Sequence, residues 1–155
     1  MNPPSSPAAT LTAETAAMHA LLAVLEREQT CLSAGDAEGC AALLDAKARQ
    51  VSALAALATD RHRQLAALGF SADENGMTGW LRKASDADGA DWAALMAVTG
   101  DAHERNRVNG MLLGQLAARN RQALDALGMR QAGGGLYGPG GHTAYSAPRA
   151  TRVIG

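Results

Sequence analysis

His19, His62, His103, Cys31 and Cys40 are the residues through which this 155-residue chain could bind a metal or activate a nucleophile. A di-iron centre in a helical bundle takes Glu-x-x-His from two helices and a further glutamate from each of two others. No glutamate here has a histidine three residues later, and the three histidines fall on three separate helical segments. They read as flank residues. Nucleophilic catalysis needs an exposed Ser or Cys beside a base and an orienting group. A seven-residue apolar period accounts for most of the chain and leaves no such cluster. Gly133 to Gly138 spells G-x-G-x-x-G. A dinucleotide fingerprint follows a strand, opens a helix and has an acid roughly 20 residues on. Here a helical pattern precedes it, Pro139 follows it, and no acid lies downstream. The expectation is a protein that is not an enzyme and that uses no metal and no cofactor. The two cysteines read as reduced thiols of a cytoplasmic protein.

The elements that carry these residues are helical. Ala and Leu make up about a third of the chain, and aromatics only 3%, a composition that favours helix over strand and a thin core over a thick one. A first helix begins near Thr10 or Thr12, either able to cap it, and stops at Gly35. Leu11, Met18, Leu25 and Leu32 recur in it every seven residues. Asp36 caps a second helix that runs to about Leu68, with Gly69 behind it. Its expected seam is Cys40, Leu44, Lys47, Val51, Leu54, Ala58, Arg61, Leu65 and Leu68. Met77, Trp80 and Leu81 form an apolar island that reads as a one- or two-turn helix. A third long helix starts at Asp88, with Asp91 as a capping-box acid, and ends at Gly128. The fold expected is all-α: an elongated antiparallel three-helix coiled bundle with a short helical insert between helices two and three.

The most unusual stretch is Asn106-Arg107-Val108-Asn109-Gly110. Asn and Gly are poor residues for a helix interior, Gly costing about 1 kcal/mol relative to Ala. The apolar period nevertheless continues through Trp92, Leu95, Thr99, Ala102, Asn106, Asn109, Leu113, Leu116, Asn120, Ala123 and Leu127. Both asparagines are therefore expected on the packed side, with Gly110 and Gly114 forming a notch for a neighbouring helix. Lys47 and Arg61 interrupt the seam of the second helix. Long basic stems cover apolar surface while their heads reach water; alternatively Lys47 meets a helix-terminal carbonyl or an acid on a neighbouring helix.

Residues 1–9, rich in Pro, Ser and Ala, are expected to be disordered, residues 10–128 to form the helical domain, and residues 129–155 a flexible Gly-rich tail. All 15 acids precede Gly128, together with 11 of the 14 Lys and Arg, so the body carries −4 and the tail +3. That balance argues against a nucleic-acid partner. The N-terminus lacks a basic region of the signal-peptide kind, and no span for direct membrane insertion is expected.

The run of features resembles the FlgN family of flagellar type III export chaperones from about residue 18 to residue 142. It consists of Leu21-Leu22-x-x-Leu25-Glu26, Gly35-Asp36, Leu44 and Lys47, Arg61 to Gly69, Trp80-Leu81, Asn106-x-x-Asn109-Gly110, Leu124-x-x-Leu127 and Tyr137-Gly138-Pro139-x-Gly141. The extension beyond Gly141 and the high Ala content depart from the family's pattern. The resemblance implies a cytoplasmic protein that binds hook-associated filament-junction proteins through their terminal segments and escorts them to the export gate. It implies that a C-terminal segment engages the gate's cytoplasmic domain, a role that Leu136, Tyr137, Gly138 and Pro139 match.

Lys47, Asn106, Asn109 and Gly110 are then the motif residues that pack the helices. An apolar client groove is expected to include Leu113, Leu116, Leu124 and Leu127, where leucines are densest. A monomer or weak homodimer would leave that groove free. The competing expectation is a structural coiled-coil subunit that self-associates through the same seams and has no client.

Overall fold

A computed structural model describes the backbone of residues 6–134 and the side chains of residues 6–129. Leu136, Tyr137, Gly138 and Pro139, expected to engage the gate, lie outside the described residues. The chain divides into two compact units, Met1–Leu116 and Ala117–Gly155. Four α-helices carry the described part: α1 (Leu11–Ala34), α2 (Ala37–Ala67), α3 (Glu74–Leu81) and α4 (Asp86–Gly134). No strand occurs among the described residues. The all-α expectation holds.

Each helix end has a local cause. Gly35 closes α1 at φ 67, in the left-handed region where a residue without Cβ is unstrained. Asp36 then caps α2, its carboxylate accepting from the Gly39 amide at 2.9 Å. Gly69, at φ 83, follows the end of α2 as expected. Asp73 caps α3 through the Gly76 amide, also at 2.9 Å. At the start of α4 the capping box is Ser85 with Asp88, three residues upstream of the expected one. The Asp88 amide donates to the Ser85 hydroxyl at 3.2 Å, and the Ser85 amide donates back to the Asp88 carboxylate at 3.3 Å.

Two boundaries differ from expectation. Residues 7–10, expected to be mostly disordered, form a 3-10 turn with Pro7 and Thr10 buried. Its first amides are satisfied by Ser6, whose hydroxyl accepts from the Ala8 amide at 3.2 Å. Thr10 makes no cap of its own; its hydroxyl donates instead to Glu14 at 2.7 Å. At the far end α4 passes through Gly128 to Gly134. Met129, Arg130, Gln131 and Ala132 are good helix formers, and one interior glycine costs only about 1 kcal/mol, too little to stop the helix.

In the first unit α1 lies between α2 and the first part of α4. Glu14 pairs with Arg61 and Glu28 with Lys47. Moving fourteen residues up α1 therefore moves fourteen residues down α2, and the two helices are antiparallel. Leu11, Leu65, Met77, Leu95 and Val98 make the core, with Trp80 and Trp92 against it. Near the other end of α1, Asn109 bonds to the Leu25 carbonyl, so α4 ascends beside α1. With the turn before it, α1 is long and apolar enough to cross a membrane by length and composition alone. Part of that apolar surface is buried against the neighbouring helices, at Leu11, Val24, Leu25 and Leu32.

In each seam some positions stand as expected and others are displaced by one residue. On α4 the inward residues are Leu95, Val98, Ala102, Arg105, Asn109, Leu112 and Leu116, each buried or half-buried. Leu95, Ala102, Asn109 and Leu116 were expected there. Val98, Arg105 and Leu112 replace Thr99, Asn106 and Leu113 at the alternate positions. On α2, Leu43 and Gln50 likewise turn inward where Leu44 and Val51 were expected; Leu44 and Val51 are exposed.

Candidate partner-binding groove

A groove lies between α2 and α4. Met18, Leu21 and Leu25 of α1 form its floor. Lys47 and Val51 line the α2 side, and Thr99, Ala102, His103 and Asn106 the α4 side. Its volume is about 290 Å³. The apolar floor exists because α1 presents apolar residues on more of its circumference than its two neighbours cover.

A polar relay holds the three helices beside this groove. The Lys47 ammonium donates to both Glu28 carboxylate oxygens, at 3.1 and 3.0 Å. Asn109 Nδ2 donates to the Leu25 carbonyl at 2.9 Å and to Glu28 Oε2 at 2.8 Å. One glutamate of α1 thus collects a cation from α2 and an amide from α4. The Leu25 carbonyl has a second lone pair free while it serves its own helix, so the Asn109 bond adds to the helical ladder without breaking it. Of the two alternatives for Lys47, the acid on a neighbouring helix is what it reaches.

Asn106 and Gly110 do not join this cluster. Asn106 is exposed at the groove wall, and Gly110 is exposed with nothing within 4 Å of where a Cβ would stand. Among the described residues no helix approaches the notch expected at Gly110 and Gly114, since Gly114 has no neighbour within that distance either. Asn109 takes the inward place, and one residue further on the helix has turned by about 100°, which carries Gly110 off the packed face.

The four leucines assigned to a client groove all lie on α4. Leu116 is half-buried in the first unit, whereas Leu113 of the same unit is 59% exposed. In the second unit every residue from 117 to 129 is exposed, with Leu124 at 67% and Leu127 at 56%. Large apolar side chains at that exposure form a surface that the other described residues leave uncovered.

Arg61 occupies the opposite end of the first unit. Its guanidinium Nε donates to Glu14 Oε1 at 3.0 Å, its carbon lies 4.8 Å from the centroid of Trp92, and both ionic side chains are buried. Stem burial with a solvated head, expected for this residue, is corrected here: the head itself is inside. Among the described residues no three His, Cys, Asp or Glu side chains gather as metal ligands do. His19 and His103 are exposed and His62 half-buried.

Sequence reasoning did not single out Glu28, which organises the relay, or Arg105, which donates to Gln29 at 2.6 Å. A signal for Glu28 existed: it stands fourteen residues after Glu14 on α1, as Lys47 stands fourteen before Arg61 on α2.

The chain matches the family model described as FlgN protein over residues 4–144. Comparison with curated proteins and with solved structures gave no significant match.

Proposed function

Because this chain belongs to the FlgN family of flagellar export chaperones, we propose that it binds terminal helical segments of hook-associated filament-junction proteins. In that role it acts in the cytoplasm, keeps its clients from assembling early and delivers them to the flagellar type III export gate. The observation that supports this reading is the exposure of Leu113, Leu124 and Leu127 on α4. An unassembled junction protein carries terminal segments that are unfolded until they meet their neighbours. Such a segment, folding as an amphipathic helix, lays its apolar face on exposed leucines and gains about 25 cal/mol per Å² buried, less its ordering cost. Only burial and release are needed, so no nucleotide enters the cycle. Leu113, Leu116, Leu124 and Leu127 are the contacts assigned to the client. Leu136, Tyr137, Gly138 and Pro139 are assigned to the gate's cytoplasmic domain, Tyr137 bringing much contact area for little ordering cost.

The test titrates C-terminal fragments of junction proteins against the chain and against a Leu124→Glu/Leu127→Glu variant. Binding by the parent and its loss in the variant, at unchanged helicity, supports the reading; full binding by the folded variant removes these leucines from it. Tyr137→Ala is expected to weaken binding of the gate domain while client binding stays intact. A structural coiled-coil subunit would instead assemble with itself, which the solution mass at low and high concentration distinguishes from a monomer or weak homodimer.

A further inference from the structure

Cys31 lies in the last turn of α1 and Cys40 in the first turn of α2. The corner between them is tight: the Asp36 amide donates to the Cys31 carbonyl at 2.9 Å, and the Cys40 amide to the Asp36 carbonyl at 3.0 Å. A Cβ placed on Gly39 would stand 2.8 Å from Cys31 Sγ. The capping carboxylate of Asp36 and the sulfur of Cys31 therefore both border the space that glycine leaves open at the start of α2, next to Cys40. Both cysteines are free and half-buried, so a small reagent can reach them. No third ligand-bearing side chain joins them into a metal-holding cluster among the described residues.

We propose that Cys31 and Cys40 form a dithiol site that a small-molecule disulfide of the glutathione type closes into an intramolecular disulfide, pinning the corner between α1 and α2. One cysteine loses its proton to water, and its thiolate attacks a sulfur of the small disulfide. A mixed disulfide forms and one small thiolate leaves, to be protonated by water. The second cysteine, deprotonated in turn, attacks the protein sulfur of the mixed disulfide and expels the second small thiolate. Two protein thiols are oxidised by two electrons, and one small disulfide is reduced to two thiols. Partial burial, the Cys31 thiol and the carboxylates of Asp36 and Glu28 all push the Cys40 thiol up. Thiolate is therefore scarce at neutral pH, and closure quickens as pH rises. The closed loop restricts the unfolded chain and raises the melting midpoint. This inference stands apart from the chaperone reading, since it concerns only the α1–α2 corner.

The full chain, treated with oxidised glutathione and then with an alkylating reagent, tests it. Closure is expected to remove both titratable thiols, to lower the intact mass by about 2 Da with no glutathione retained, and to raise the melting midpoint by several degrees. Glu38 lies between the cysteines, so cleavage after it should leave two peptides joined until a reductant is added. Cys31→Ser and Cys40→Ser should each hold a stable glutathione adduct on the remaining thiol. Disulfide-linked dimers, or glutathione persisting on both cysteines of the parent chain, would overturn the proposal.

Discussion

The two ends of the first unit solve one problem with different chemistry. At one end Arg61 of α2 meets Glu14 of α1 and stacks on Trp92 of α4. At the other, Lys47 of α2 meets Glu28 of α1, which also accepts from Asn109 of α4. Each end joins the same three helices, the first through Arg61 and the second through Glu28. They differ in water: Arg61 is 3% exposed as a residue, whereas the Lys47 side chain is 28% exposed. A planar guanidinium that is weakly hydrated and can lie on an aromatic face suits the dry end, and a strongly hydrated ammonium suits the rim of a groove. A helical pair can thus be closed at one end and open at the other without changing its register.

Breaking the dry end should cost most. Arg61→Leu leaves Glu14 buried with Thr10 as its main remaining partner, and removing one partner of a buried pair costs about 3–5 kcal/mol. Chemical denaturation should show it, and a loss under about 1 kcal/mol would mean that the end is wetter than the burial of Arg61 implies. Asn109→Ala, at the buried core of the wet end, removes two hydrogen bonds and strands no charge, because Lys47 still holds Glu28. The expected loss is about 1–3 kcal/mol.

Gly110→Ala should act in the opposite direction. With open space at the Cβ position, the substitution only improves helix propensity, by up to about 1 kcal/mol. A lower melting midpoint would return Gly110 to a packed face. Lys47→Met should change stability by no more than about 1 kcal/mol, since a part-exposed pair contributes little and its stem still covers apolar surface.

The smallest effect belongs to the Asp73 cap of α3. The Gly76 amide, then the Ser71 hydroxyl, hold its carboxyl below the ordinary carboxylate range. A depressed folded value means that the cap's stabilisation is present above the unfolded value and is lost as pH falls through the folded one. Helicity of α3 in the parent should therefore decline only in strong acid, and Asp73→Asn should flatten that part of the curve. An unchanged acid limb in the variant would dissociate the cap from the transition.

Much of the contrast between the ends was legible in the residues. The caps at Asp36 and the breaks at Gly35 and Gly69 follow from local chemistry, and each stands where the sequence places it. Lys47 and Arg61 were visible as interruptions, but the identity of their partners was not, because glutamates are frequent and nothing local ties Glu28 to a residue nineteen positions away. The candidate site was less legible. Leu112 and Leu113 are both leucine, as are Leu43 and Leu44, so a period of 3.5 fits either face of the helix equally well. Choosing the wrong member of each pair exchanged the floor of a seam for the wall of a groove, and carried Asn106 and Gly110 with it.

By itself the sequence determined what is short-range here: helices, their caps, the breaks between them and the apolar content of α1. Hydrogen bonds between residues a few positions apart, together with side-chain propensity, decide those features, and both are written along the chain. The tertiary structure alone decided which residue of each ambiguous pair faces inward, that Asn109 and not Asn106 is buried, and that Glu28 serves two helices at once. Those outcomes depend on how far each helix is rotated about its axis. Rotation is settled by the summed packing of three helices against one another, and no single helix contains that sum.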